Sequence, residues 1–211
     1  MMLPRLLLCL LLAFPMPARS AESPAAWSAD GPAACIKAIG DAVDRADVEE
    51  FKRRVDMDAI LDDGVERFLK AASYPQVAEQ LPPIAALIIS QAQRSPQGRQ
   101  SLKQLLVQQM SAFILRGVGS GAFGGRPSQG GRDGIPPLLG DASMGRKHIL
   151  SIGEAKTKGN GWSVPFTVRD EGNGRNYPVV GTVRRESQGM RLVAVDNIDD
   201  IMQSIATEVM E

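Results

Sequence analysis

The hydrophobic period of this chain changes twice, and that change limits what it can fold into. From Ile36 to Ile114 apolar residues recur at helical spacing, from Lys147 to Asp196 they alternate, and after Asn197 the helical spacing returns. A 3.6-residue period lines one stripe of a helix, whereas a two-residue period lines one face of a strand. Short helices with one apolar stripe each are not stable alone, and a sheet with one apolar face needs a cover. Each half therefore calls for the other.

The stretch Ile36 to Ala72 reads as three short amphipathic helices. Their stripes are Ile36, Ile39 and Val43, then Val48, Phe51 and Val55, then Leu61, Val65, Phe68 and Leu69. The first helix is expected over Ala33 to Ala46. Asp47 with Glu50 three residues on forms a capping box, which satisfies two orphan N–H groups at a helix start. Asp56 repeats the capping role for the helix containing Ile60 to Leu69. Carboxylates at Asp41, Asp44, Asp58, Asp62, Asp63 and Glu66 fall on polar helix sides and are read as caps and solvated faces, not as paired acid/base groups. Tyr74-Pro75 ends this region. The apolar run Ile84 to Ile89 after Pro82-Pro83 suits a buried core helix, being far short of the ~20 residues that span a bilayer. Ser95-Pro96 starts a further helix, with a capping Ser and Pro at the first position. Its stripe is Leu102, Leu106, Met110 and Phe113, with Leu105 and Ile114 beside them.

Four strands are expected, roughly Lys147 to Ala155, Gly161 to Arg169, Tyr177 to Arg185 and Met190 to Asp196. In the second, Trp162, Val164, Phe166 and Val168 share one face. Asn160-Gly161 and Asn173-Gly174 are hairpin signals, because both residue types tolerate positive φ, and Ser187 to Gly189 closes the last hairpin. Such short connections dictate an antiparallel meander. A closing helix carries Ile198, Ile201, Met202, Ile205 and Val209 on one side, capped by Asp196 or Asn197, with acids in its first turn that suit the helix dipole. The expected fold is α+β: N-terminal helices packed on one face of a four-stranded antiparallel sheet, closed by a C-terminal helix. Residues 33–211 are read as a single domain. Two small domains joined at the glycine-rich stretch would leave each half with a thin core.

That stretch, Gly117 to Gly134, reads as a flexible connector or mobile loop. It contains Gly119-x-Gly121-x-x-Gly124, formally a dinucleotide fingerprint. The motif works between a strand and a helix, where amides and a helix N-terminus hold a pyrophosphate. Here it follows a helix and runs into more Gly, Pro and Ser, and no Gly-Lys-Ser/Thr of a P-loop follows.

Met1 to Ser20 is expected to be a cleavable leader. Arg5 is its basic start, Leu6 to Phe14 its apolar run, and Ala18-Arg19-Ser20 its small-residue end. Leu8 stands before Cys9 where a lipid-attachment site wants a small residue, so export to the periplasm or the exterior is expected, not a lipid anchor or a membrane span. Residues 21–32, rich in Ala, Ser and Pro, read as a flexible arm. Of the two cysteines only Cys35 would remain after cleavage, which leaves no intramolecular disulfide. Cys35 next to the first apolar stripe reads as a small buried hydrophobe.

Charge excludes some functions. Basic and acidic residues number 24 each, which argues against nucleic acid as a partner. The charge is nevertheless segregated. Acids outnumber bases from Asp41 to Glu66, while Arg94, Arg99, Lys103, Arg116, Arg126 and Arg132 fall in a stretch without acid, so these patches are suited to pair with one another or to steer a partner. His148 is the only histidine, which leaves too few His and Cys for a metal site of that type. No nucleophile-elbow motif accompanies it. No catalytic group and no cofactor are expected.

The pattern Ala42-x-x-x-Ala46-Asp47-x-x-x-Phe51-x-x-x-Val55-Asp56-x-x-x-Ile60 resembles the opening helices of an uncharacterised family of exported bacterial proteins, and is similar to members of the nuclear transport factor 2-like superfamily. The order helices, four strands, final helix also looks like the periplasmic phospholipid-shuttle proteins of the toluene-tolerance type. These resemblances imply an apolar pocket between helices and sheet. Phe51, Phe68, Leu106, Met110, Phe113, Trp162 and Phe166 are the candidates to line it. The function expected is non-catalytic binding of an apolar or amphipathic small molecule, with lipids among the candidates. The alternative is a protein-interaction or envelope-assembly module.

Overall fold

The computed structural model describes residues 31–79, 81–127 and 145–208, with side chains as far as Ser204. The leader, most of the arm, residues 128–134 of the glycine-rich stretch and Val209 lie outside the described residues, as does the side chain of Ile205.

The three opening helices form as the stripes require: α1 (Pro32–Arg45), α2 (Val48–Arg54) and α3 (Met57–Ala71). Local chemistry sets each joint. Ala46 ends α1 in the left-handed conformation at φ 61. The Asp47 carboxylate accepts from Glu50 N at 3.0 Å and caps α2, and the Asp56 carboxylate accepts from Ala59 N at 3.3 Å and caps α3. Only half of the expected capping box forms. The Asp47 N–H donates to Ala42 O at 2.9 Å, so it offers nothing to Glu50, whose carboxylate turns to Arg53 and Arg54. After α4 (Pro75–Ala78) come α5 (Pro83–Ala92) and the long α6 (Pro96–Gly119), capped by the Ser95 hydroxyl on Gly98 N at 3.0 Å.

The sheet is antiparallel, with strands β1 (Lys147–Ile152), β2 (Lys156–Lys158), β3 (Gly161–Asp170), β4 (Arg175–Glu186) and β5 (Gly189–Val195) in the order β1-β3-β4-β5. β2 pairs with β3 beside β1. The single first strand expected is therefore two. The register shifts between Ile149 and Ser151, and the chain leaves the ladder at Gly153, whose N–H still reaches Pro165 O at 2.7 Å. The first hairpin turns at Gly159-Asn160, one residue before the expected pair. Gly161 is the first residue of β3, pairing with Lys158 and with Arg184. After β5 the chain enters α7 (Ile198–Glu208). The side chains expected to cap it are engaged on the sheet. Asn197 accepts from Val180 N at 2.8 Å and donates to Pro178 O at 3.0 Å, while Asp196 accepts from the buried Thr182 hydroxyl and pairs with Lys158.

Apolar burial divides into three clusters. In the first, Cys35 and Ile36 of α1 lie on Val164, Val183, Met190 and Leu192 of the sheet. Fully burying a side chain such as Ile36 contributes about 1.5–3 kcal/mol. The packing is close. A Cβ at Gly181 would stand 2.5 Å from Leu192 Cδ1 and 3.2 Å from Phe166 Cε1, and one at Gly40 of α1 would stand 3.0 Å from Ile149 Cδ1. The second cluster joins Val65 and Leu69 of α3 to Ile89 of α5 and to Leu102 and Leu106 of α6. The third gathers Ala42, Phe51, Val55, Val118 and Phe123. At about 1.5 Å per residue, the 24-residue α6 is roughly 36 Å long and reaches from the second cluster to the third.

The described part of the glycine-rich stretch, residues 117–127, is packed, where a flexible connector or mobile loop was expected. Its first half belongs to the third cluster, where Ala122 and Phe123 are buried. A Cβ at Gly117 would run into the Phe123 ring, and one at Gly124 would stand 2.9 Å from Val43 O. These glycines are present because the backbone is packed there. Phe123 O accepts from Lys147 N at 2.8 Å, and the Lys147 ammonium lies 4.9 Å from the Phe123 ring centre, so this turn joins the helices to β1.

Candidate functional site

The seven residues expected to line one cavity fall in three packed clusters. Phe51 and Phe113 belong with Phe123 in the third cluster, and Phe113 meets the Phe123 ring edge-on at 5.8 Å. Phe68, Leu106 and Met110 lie in the α3–α5–α6 cluster. Trp162 and Phe166 pack against the α1–sheet cluster. All seven therefore take part in packing, in three places.

Among the described residues, an exposed apolar stripe lies elsewhere, on α5. The run Ile84 to Ile89 is helical as expected, but it is not a buried core helix. Ala85 and Ile89 are buried, whereas Ile84 is 73%, Leu87 56% and Ile88 44% exposed. The reason is geometric. A helix packed from one side covers one stripe, and α5 carries large apolar residues beyond that stripe. Its inner stripe rests on α6 and on the end of α3, where Gln93 Nε2 donates to Leu69 O at 2.8 Å. Its outer residues at i, i+3 and i+4 form a second stripe facing solvent. Leu105 of α6 and Tyr74 before α4 are also about half exposed.

Charge around this face is distributed unevenly. From Pro75 to Gly119 the acid is Glu79 alone, against Arg94, Arg99, Lys103 and Arg116. The acidic and basic stretches of the sequence pair across α3 and α6: Arg99 with Glu66 at 2.6 Å, and Lys103 with Asp62 at 2.9 Å and Glu66 at 3.3 Å. The Lys103 hydrogen bond and the Arg99 charge hold the Glu66 carboxyl below its ordinary range, and Asp62 and Glu66 in turn raise the Lys103 ammonium. Arg94 and Lys70 stand at the α5 end where Gln93 meets Leu69, and neither has a salt-bridge partner among the described residues.

Other groups with chemical potential lie elsewhere, and His148 Nδ1 is buried without a hydrogen-bond partner among the described residues. The Cys35 thiol is buried and donates to Met190 O at 3.2 Å, and burial pushes it up to about 11. His148 sits in β1 with Nδ1 3.6 Å from Glu171. An open depression lined by Asp47, Glu49, Glu50, Lys52, Arg53 and Gln188 has its carboxylates and cations already paired, Glu49 with Lys52 and Glu50 with Arg53. Among the described residues no group of three or more His, Cys, Asp and Glu is arranged to hold a metal ion. No helix of the described residues is long and apolar enough to cross a membrane. The α5 face was missed in the sequence because an apolar run does not say which of its sides is covered. The signal present was the absence of any charge from Pro82 to Gln93. Comparison with protein-family models, with curated proteins and with solved structures finds no match to this chain.

Proposed function

We propose that this protein is an exported, non-catalytic binding module whose binding surface is the outer face of α5. One observation carries the reading: Ile84, Leu87 and Ile88 present a continuous aliphatic stripe to solvent on a helix without a single charged residue. Exposed apolar side chains scattered singly are ordinary, but a contiguous stripe marks a surface that meets something apolar. The reading keeps the class expected from the sequence, binding of an apolar or amphipathic partner. It moves the site from the seam between helices and sheet, where Phe166, Gly181 and Leu192 pack closely, to the opposite end of the helical layer. A photoreactive amino acid placed at Ile88 in cells is expected to form adducts that the same group at Lys156, on the exposed β2, does not form. Equal adducts at both positions, or none at Ile88, would remove α5 as the binding surface.

A further inference from the structure

Resting on that reading, we propose that the α5 face docks on an anionic lipid surface. The stripe of Ile84, Leu87 and Ile88 runs toward the C-terminal end of α5, where Gln93 bonds to Leu69, and Arg94 and Lys70 are the next residues in the chain after these two. Both cations are exposed and lack an ion-pair partner among the described residues, unlike Arg99 and Lys103, which are neutralised by Glu66 and Asp62. Aliphatic side chains standing proud beside unpaired cations match the two layers of a lipid surface: acyl chains below, phosphate oxygens at the headgroup level. Ten residues make a helix about 15 Å long, which lies along a bilayer and does not cross it. A folded protein partner fits less well. A stable protein interface engages roughly 20–30 residues a side, with aromatic and Arg anchors at its centre. The α5 face offers three aliphatic side chains, with Ser90 and Gln91 as its exposed polar residues.

The test is sedimentation of the purified protein, exported and processed, with two kinds of vesicle: phosphatidylcholine alone, and phosphatidylcholine with one quarter phosphatidylglycerol. Binding is expected to the anionic vesicles and to weaken with salt. Leu87→Glu is expected to reduce it by at least about tenfold, and Arg94→Glu with Lys70→Glu by about fivefold per cation. All three positions are exposed, and an unchanged melting curve for each variant separates a binding loss from a folding loss. No binding by the wild type, or binding that Leu87→Glu leaves intact, overturns the lipid proposal. If Leu87→Glu instead abolishes self-association or the adducts formed at Ile88 with a protein, the lipid proposal falls and the α5 reading stands. If it alters none of these, both fall.

Discussion

The Phe123 ring occupies the space that a Cβ on Gly117 would need. The two residues lie on either side of the end of α6, and the chain returns between them so that Phe123 N donates to Gly117 O at 3.1 Å. Helix propensity alone favours Ala over Gly here by about 1 kcal/mol. The ring decides otherwise, because overpacking of this kind costs about 1–3 kcal/mol. Gly117→Ala is therefore expected to lower stability in a urea melt. A stabilised variant would show that the ring moves aside at little cost.

Asp47 joins α1 to α2: its N–H donates to Ala42 O, and its carboxylate accepts from Glu50 N. Asp47→Ala should cost about 1 kcal/mol and Asp47→Ser much less, since a serine hydroxyl can take the same proton. Chemical denaturation of the two variants checks this. Equal losses would mean that the carboxylate acts by charge and not as a cap.

Acid should weaken the fold in a definite way. Some burial opposes ionisation of Glu50, yet hydrogen bonds from Arg54 and Arg53 hold its carboxyl below the ordinary value of 4.5, and Lys103 and Arg99 do the same for Glu66. A carboxyl depressed in the folded chain contributes stability above its unfolded value and loses it as pH falls through the folded one. Stability should thus decline as pH drops below about 4.5, and Glu50→Gln should flatten part of that decline. Lys103 runs the other way: its raised value adds stability at neutral pH that is lost as pH rises through a point above 10.5. Melts from pH 7 down to 3, compared between wild type and Glu50→Gln, read the acid limb. A parallel offset with no change in slope would contradict it.

Cys35 should be silent until the chain opens. Its burial, its bond to Met190 O and a thiol pushed up to about 11 keep the reactive thiolate scarce at pH 8. A chromogenic disulfide reagent is expected to label it only in denaturant, with labelling that follows unfolding. Rapid labelling of the native protein would place the thiol at the surface.

Helices and sheet should also fail to fold apart. α1 rests on the sheet, Lys147 N donates to Phe123 O, and Arg146 reaches Asp44 at 3.5 Å, so both layers cross the glycine-rich stretch. Chain fragments separated between Pro127 and Gly145 are each expected to melt without cooperativity. A sharp transition in either one would make it a domain of its own.

Much of this architecture was legible in the sequence because it is decided locally. Asp47, Asp56 and Ser95 mark helix starts through bonds that reach only three residues on, and the alternation from Trp162 to Val168 names a strand face outright. What was illegible depends on distances between elements. Phe51, Phe68 and Phe166 look alike in the chain, and only the packing of the elements sorts them into three clusters. Gly117 to Gly124 has the composition of a loop, but those glycines serve close approach, which composition does not distinguish from mobility. The run Ile84 to Ile89 gave its helix away and concealed its bare side.

The joint between α2 and α3 also determines how this protein can meet its neighbours. Val55 pairs in parallel with Leu192, and Asp56 N donates to Leu192 O at 2.8 Å, so the outer side of β5 is occupied by the chain itself. At the other margin the ladder is interrupted by a register shift near Leu150 and a break at Gly153. A polypeptide seeking to extend this sheet finds one margin blocked at Leu192 and the other crooked, a protection against runaway stacking. Association is thereby steered away from backbone templating and toward contacts made by side chains.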